Sequence, residues 1–384
     1  MGKNQFILII AYVAMAAILR FFFVGFLESG SLALEILAIL AIFVIGILFV
    51  FRGTANVIEE TTDVLKDRTG LAGGFLQSLG TAFPDMIIGV TAALLSLSFR
   101  ETDMVRSINL AIIAAAATFG SNIYNILHAL WCVYRQNLAN RLNKTIMMFP
   151  PFAVGGSLKP LSQHSIPPSR REMDTAIDIL AVLTLLTGFV AVSMVLFGQN
   201  NNLSGVIQGD VYELIRPVGV VLFVLCVATL YFFRKSERPE SPLEEIVAEE
   251  HYYAKQKTIR IWFDLLLSGA AILFAAESMV RAMEVLSELT HLPFVLAGIL
   301  AGIIGCFGEM LVVHNFSVNP KGRIGDAIVG VSMDNIVTTM GAAIVAIMGG
   351  IFLGGNSLII IFVVILVANS VLIQQISRLK NNLK

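Results

Sequence analysis

The stretch Gly80-Thr81-Ala82-Phe83-Pro84-Asp85-Met86 places a carboxylate and a proline inside an apolar run that extends from Leu71 to Ser98. A carboxylate near the centre of a membrane-length helix costs roughly 2.5–3.5 kcal/mol on insertion scales and usually marks a functional site. The proline removes a backbone donor and predicts a helix break. A related stretch, Gly305-Cys306-Phe307-Gly308-Glu309-Met310, lies in a second apolar run from Pro293 to Val313. Aromatic residue, carboxylate and methionine match, a pattern that favours a transporter built from internal repeats.

The composition is that of a membrane protein. The chain has 384 residues, of which 57% are hydrophobic and only 14% are charged, whereas soluble domains carry about 25% charged residues. We therefore predict an all-α polytopic membrane protein with about ten transmembrane helices, and not a β-barrel, whose strands would show short alternating patterns. The predicted spans are 6–27, 33–57, 72–98, 108–134, 175–198, 211–233, 259–286, 292–315, 325–348 and 356–376.

The distribution of basic residues predicts the orientation. If the N-terminus is cytoplasmic, most of the 26 lysines and arginines fall on the cytoplasmic side, and the positive-inside rule then predicts that both termini are cytoplasmic. The helix bearing Asp85 would leave the cytoplasm, and the helix bearing Glu309 would enter it. The two helices that follow, which bear Asn122 and Asp334, also run in opposite directions to each other. Residues 72–134 and 292–348 are thus predicted to be two inverted-topology repeats whose acids meet near the membrane midplane.

The chain divides into four predicted segments. Residues 1–32 hold an extra N-terminal transmembrane helix, which we interpret as retained and not as a signal peptide, because no small-residue cleavage site follows it. Residues 33–233 form a first half of five helices that contains the first repeat. Residues 234–258 are a hydrophilic cytoplasmic linker, and residues 259–384 form the second half with the second repeat.

The polar residues of the two repeats match the ligands of a hard cation. Ca²⁺ takes about 6–8 oxygen ligands from carboxylates, carbonyls and water. Two facing carboxylates without a cation would repel each other, and at least one would take up a proton. A cation and a counter-ion, Na⁺ or H⁺, would therefore compete for the same charge, which is a physical basis for exchange. The candidate cation-binding residues are Asp85, Glu309, Thr81, Asn122, Asp334, Ser121 and Ser332.

These residues resemble the motifs of the Ca²⁺/cation antiporter superfamily, which includes the Na⁺/Ca²⁺ exchangers. Each repeat of that family carries a G-T-S-x-P-[ED] motif on one helix and a G-S-N-type motif on the next. Residues 80–85 resemble the first motif, and Gly120-Ser121-Asn122 resembles its partner. Residues 305–309 and Ser332-Met333-Asp334 resemble the second repeat. The resemblance extends over most of residues 33–348.

The resemblance implies a membrane antiporter that exchanges Ca²⁺ for Na⁺ or H⁺ by alternating access. It implies that Asp85 and Glu309 are the paired Ca²⁺ ligands, that Thr81 adds an oxygen, and that Asn122 and Asp334 shape adjoining cation sites. We expect no organic cofactor and no nucleic-acid partner, so the partners are inorganic cations and the lipid bilayer. Since no targeting segment is visible, we expect the inner membrane of a prokaryotic cell.

The sequence departs from the family pattern at several positions, and alternatives therefore stay open. Ala82 and Cys306 replace the motif serines, Gly305 replaces a threonine, and Gly308 replaces a proline. The transported cation could then be Mn²⁺, Mg²⁺, Na⁺ or K⁺ exchanged against H⁺, or the chain could be a channel or sensor that does not exchange ions. The family has five helices per half, and we hypothesise that helix 6–27 replaces a last helix missing after span 356–376.

Other classes of function find less support. The metalloprotease motif HExxH and the hydrolase motif GxSxG are both absent from the sequence, so we do not expect an enzyme. The three cysteines lie in apolar runs without CxxC spacing and predict neither a disulfide framework nor a metal site. His128 and His314 each stand alone in the sequence, and we interpret both as packing or interfacial residues.

Overall fold

The structure is a computed structural model of the chain. It describes residues 2–54, 57, 60–61, 64–65, 73–149, 156–164, 167–199, 210–233, 252–318, 324–349 and 351–383. Of the predicted cytoplasmic linker 234–258, residues 234–251 lie outside this description.

Helices dominate the fold and follow the predicted spans closely. The described residues include eight helices that are long and apolar enough to cross a membrane. In chain order the helices are α1 (Gly2–Ile18, continued by a π-helical turn at Leu19–Phe23 and by Val24–Leu27), α2 (Leu32–Ile45, continued by a π-helical stretch at Gly46–Phe51), α3 (Gly73–Phe99), α4 (Met104–Leu142), α5 (Arg170–Phe197), α6 (Arg216–Phe233), α7 (Thr258–Thr290), α8 (Phe294–Gly305), α9 (Phe307–Val318), α10 (Ile324–Met348) and α11 (Gly355–Asn381).

The two predicted repeats differ in helix continuity, because only the second contains a helix break. Helix α8 ends at Gly305 and α9 begins at Phe307, with Cys306 as the linking residue. Helix α3, in contrast, runs continuously from Gly73 to Phe99, so the break predicted at Pro84 is wrong. A proline removes only one hydrogen bond from the helical ladder, and a transmembrane helix held by its neighbours tolerates that loss.

Short antiparallel strands connect loops at two places. Strand β1 (Ile146–Met147) pairs with β2 (Ser157–Leu158). Strand β3 (Val211–Glu213) pairs with β4 (Phe352–Gly354) and so ties the segment before α6 to the segment before α11. The predicted span 211–233 is therefore a strand at its start and a helix only from Arg216. Pro217 in the first turn of α6 needs no intrahelical donor, which suits it to a helix start.

The centre of the fold is a close-packed group of helices in which α4 contacts α3, α8 and α11, and α10 contacts α3 and α6. Glycines let α8 approach α4. A Cβ atom on Gly298 would lie 2.6 Å from the Cβ of Ala116, and one on Gly120 would lie 2.9 Å from the Cα of Ile299. Small residues at helix contacts are the usual means of close packing in membranes. This packing brings polar side chains of several helices into one buried region.

Helix α1 packs along α7, whereas α11 packs against α4 and α5. The hypothesis that helix 6–27 takes the place of a missing helix beside span 356–376 is therefore wrong. An ion-pair network joins α1 to α7 instead. The Nε atom of Arg20 lies 2.6 Å from Glu277, and Arg281 lies 3.8 Å from Glu277 and 3.2 Å from Glu28. Two partly buried arginines thus share one carboxylate. The order of the helices in the sequence does not indicate that α1 and α7 are neighbours.

We expect Glu277→Gln to lower the free energy of unfolding by about 1.5–3 kcal/mol, because it removes a charged acceptor from Arg20 and Arg281 together. The measurement is the midpoint of thermal unfolding in detergent. Glu28→Gln is the matched control. Its side chain is 61% exposed, so its effect should stay within about 0.5 kcal/mol. Equal midpoints for Glu277→Gln and the unaltered protein would show that the network does not hold α1 in place.

Candidate cation-binding site

A group of buried polar side chains lies where α3, α4, α9 and α10 meet. Asp85 on α3 is 0% exposed and Glu309 on α9 is 1% exposed. Asp334 on α10 is 4% exposed. Glu309 experiences the negative charge of both Asp334 and Asp85. Like charges in a medium of low dielectric constant repel strongly, and buried charges persist only with compensating partners. The region therefore needs positive charge, supplied by protons or by a cation.

Each acid is held by a side chain from the other predicted repeat. The Thr338 hydroxyl on α10 donates to Oδ2 of Asp85 at 3.2 Å, and the Asn125 amide on α4 donates to Oε2 of Glu309. Between α4 and α10, the Asn122 amide donates to Oγ1 of Thr339 at 3.2 Å. Asp85 is thus oriented by α10, the helix that follows Glu309. Glu309 is oriented by α4, the helix that follows Asp85.

The ends of α8 and α9 position Glu309 and Asp85 together. Glu309 lies in the first turn of α9, where the helix dipole stabilises a negative charge by about 0.3–1 kcal/mol. Gly305, the last residue of α8, lies directly against α3. A Cβ atom at this position would be 2.9 Å from both the Cα and the Oδ1 of Asp85. The absence of a side chain at Gly305 therefore leaves the space that Asp85 occupies.

Four buried oxygens of this site have no hydrogen-bond partner among the residues that the structure describes. They are Oδ1 of Asp85, Oε1 of Glu309, and the amide oxygens of Asn122 and Asn125. A buried acceptor without a donor costs about 1–3 kcal/mol, and four in one region are unusual for a packed core. Carboxylate and amide oxygens are the ligands that hard cations prefer. The donor set of the site therefore fits a hard cation, with Asp85 and Glu309 as the charged ligands.

The structure brings most of the predicted site residues together. Asp85, Glu309, Asn122 and Asp334 meet as described. Ser121 directly precedes Asn122 on α4, and its hydroxyl donates to the backbone oxygen of Thr118 at 2.9 Å. Their role in cation binding stays a prediction.

Two predicted residues are not placed at the acids. The side chain of Thr81 lies outside the described residues. Within the described part of the chain, the hydroxyl of Ser332 donates to the backbone oxygen of Ile328 at 2.7 Å and not to the acids.

Sequence reasoning missed Asn125, Thr338 and Thr339. Asn125 follows Asn122 by three positions, and Thr338 follows Asp334 by four. Residues at these spacings share one face of a helix. The helical period, applied outward from the motif residues, would have found Asn125 and Thr338.

Comparison with solved structures shows a shared fold. The structure of native YfkE has a TM-score of 0.55 and 15% identity, over 98% of this chain and 96% of that one. The H⁺/Ca²⁺ exchanger CAX has a TM-score of 0.54 and 12% identity, over 100% of this chain and 96% of that one. The sodium-calcium exchanger NCX_Mj has a TM-score of 0.47 and 15% identity, over 88% of this chain and 90% of that one. The first two scores confirm the predicted all-α polytopic fold.

Comparison of the sequence alone gives no match. No protein-family model matches the chain, and no curated protein does.

Proposed function

We propose that this chain is a membrane antiporter of the Ca²⁺/cation antiporter superfamily, which exchanges Ca²⁺ for Na⁺ or H⁺ at the site between α3, α4, α9 and α10. The observation that carries the proposal is the pair of buried acids, Asp85 and Glu309, each with one carboxylate oxygen that has no hydrogen-bond partner among the described residues. The amide oxygens of Asn122 and Asn125 are unpaired in the same sense. The fold shared with the H⁺/Ca²⁺ exchanger CAX supports it. The motifs at residues 80–85 and 305–309 add to that support.

Competition for charge is the proposed mechanism. Asp85, Glu309 and Asp334 cannot all stay ionised in a buried site without a cation, because the charged forms repel and lose their hydration. Ca²⁺ supplies two positive charges, and protons or Na⁺ supply the same charge when Ca²⁺ leaves. An empty and ionised site is the state of highest energy. Conversion between the two faces of the membrane is therefore limited to the occupied states, which couples the two ions.

The proposed transport site lies between two inverted repeats, 72–134 and 292–348. The reciprocal contacts support this arrangement, since Thr338 of the second repeat bonds to Asp85 of the first and Asn125 of the first bonds to Glu309 of the second. In this proposal the protein lies in a prokaryotic inner membrane with both termini in the cytoplasm. The division into an N-terminal helix and two halves, with a linker at 234–258, belongs to the same proposal.

The test is uptake of ⁴⁵Ca²⁺ into proteoliposomes, with a Na⁺ gradient imposed in one set and a pH gradient in the other. Uptake driven by one gradient and absent without it is the expected result, and it also identifies the counter-ion. Asp178→Asn removes an exposed acid of α5 and should leave the rate unchanged. If the folded protein shows no uptake under either gradient, the Ca²⁺ proposal is wrong. Mn²⁺, Mg²⁺ and monovalent cations in the same assay then distinguish an antiporter of another cation from a channel or sensor.

A further inference from the structure

Two histidines and a cysteine form a second buried polar cluster. It lies outside the site at Asp85 and Glu309, which we call the oxygen-lined site. His128 and Cys132 lie on α4, and His314 lies on α9. They are 8%, 1% and 0% exposed respectively. One ligand atom from each of the three residues lies within 4.8 Å of the other two. The imidazole rings of His128 and His314 are stacked, with centroids 5.8 Å apart.

The His128–Cys132–His314 cluster lies next to the oxygen-lined site along the same two helices. His128 is three residues beyond Asn125 on α4, and His314 is five residues beyond Glu309 on α9. Since an α-helix rises 1.5 Å per residue, the cluster begins about 5–8 Å along the helices from the Asn125–Glu309 hydrogen bond. In the predicted orientation both helices run toward the cytoplasm here, so the cluster lies between the oxygen-lined site and the cytoplasmic face.

We propose that His128, Cys132 and His314 bind a transition-metal ion of the Zn²⁺ class. A thiolate and two imidazoles are ligands for Zn²⁺ and similar borderline-soft ions, whereas Ca²⁺ requires oxygen ligands. Tetrahedral Zn²⁺ has Zn–S distances of about 2.3 Å and Zn–N distances of about 2.0–2.1 Å, which places sulfur and nitrogen about 3.6 Å apart. The Sγ of Cys132 and the Nε2 of His128 are 3.7 Å apart.

The remaining geometry also suits such an ion. His314 approaches from α9, and its ligand atom lies within 4.8 Å of those of His128 and Cys132, so a metal would link α4 to α9. Water can fill the fourth position, as in metal sites with three protein ligands. This ligand set differs in kind from that of the site at Asp85, so the two sites select different ions.

The test is titration of the purified protein in detergent with Co²⁺, whose thiolate complexes give a charge-transfer band in the near ultraviolet. We expect one Co²⁺ per chain, a band that Zn²⁺ abolishes, and no effect of excess Ca²⁺. Cys132→Ser should abolish the band. His128→Gln and His314→Gln should each weaken Co²⁺ affinity at least tenfold. Cys226→Ser, which alters a buried cysteine of α6, is the matched control and should leave the band unchanged.

Several results would overturn the metal site. They are the absence of a band in the folded protein, a band that survives Cys132→Ser, or a band that Cys226→Ser or Cys306→Ser abolishes instead. The two histidine variants keep the test decisive if Cys132→Ser does not fold, as judged by gel filtration. Glu309→Gln separates this inference from the proposed transport function, because it should leave the Co²⁺ band intact. Three side chains that served only for packing would bind neither Co²⁺ nor Zn²⁺ in this assay.

Discussion

Replacing Glu309 with glutamine is expected to abolish Ca²⁺ exchange and Ca²⁺ binding while the protein still folds. Glu309 is 1% exposed, and one of its carboxylate oxygens has no hydrogen-bond partner among the described residues. Removing one partner of a buried, hydrogen-bonded charge pair costs about 2–5 kcal/mol of binding energy. We therefore expect a loss of Ca²⁺ affinity of about 30-fold or more. The amide can still accept a hydrogen bond from Asn125, so the contact between α4 and α9 is kept.

Two measurements together separate binding from transport in this variant. Bound Ca²⁺ should raise the unfolding midpoint of the unaltered protein, because a ligand that binds only the folded state stabilises it by mass action. Glu309→Gln should lose this rise and lose ⁴⁵Ca²⁺ uptake, while its ion-free midpoint stays within a few degrees. Asp178→Asn should keep both signals. A Glu309→Gln protein that shows the same Ca²⁺-dependent rise as the unaltered protein would place the Ca²⁺ site elsewhere.

The sequence predicts the helices and the buried acids well, because both follow from large free-energy costs that depend on the local sequence alone. An apolar run long enough to cross a bilayer has few alternatives to a helix. A carboxylate inside such a run, as at Asp85 and Glu309, is too costly to be incidental. The recurrence of the motif then predicts that the two acids meet, although they are far apart in the sequence, and the structure places them in one buried region.

Features that depend on contacts between distant helices could not be predicted in the same way. His128 and His314 look isolated in the sequence and meet only because α9 packs against α4. The pairing of β3 with β4 joins two segments that are far apart in the sequence. Helix α1 packs along α7, where Arg20 pairs with Glu277, and the sequence order of the helices does not suggest this arrangement. Pro84 is an error of the opposite kind. A rule based on local sequence predicted a helix break there, but α3 is continuous among its neighbouring helices.

Replacing Gly305 with alanine is expected to reduce Ca²⁺ exchange at least tenfold without removing any candidate ligand. The new Cβ atom would lie 2.9 Å from the Cα and Oδ1 of Asp85, closer than a carbon atom approaches in packed structures. Either α3 or the end of α8 must shift, and such overpacking costs about 1–3 kcal/mol. Because Oδ1 of Asp85 is one of the four unpaired oxygens, a shift there moves a proposed ligand directly.

Gly330→Ala is the matched control for this steric argument. Gly330 lies in α10, and a Cβ atom there would meet no atom of the described residues within 4 Å. Alanine in a helix interior is favoured over glycine by about 1 kcal/mol, so this variant should exchange at the unaltered rate and unfold at an equal or higher temperature. Both variants add one methyl group to a transmembrane helix. Exchange at the unaltered rate in Gly305→Ala would mean that the contact between α8 and Asp85 does not set the geometry of the site. Loss of exchange in Gly305→Ala but not in Gly330→Ala would show that the placement of the ligands limits exchange even when every ligand is present.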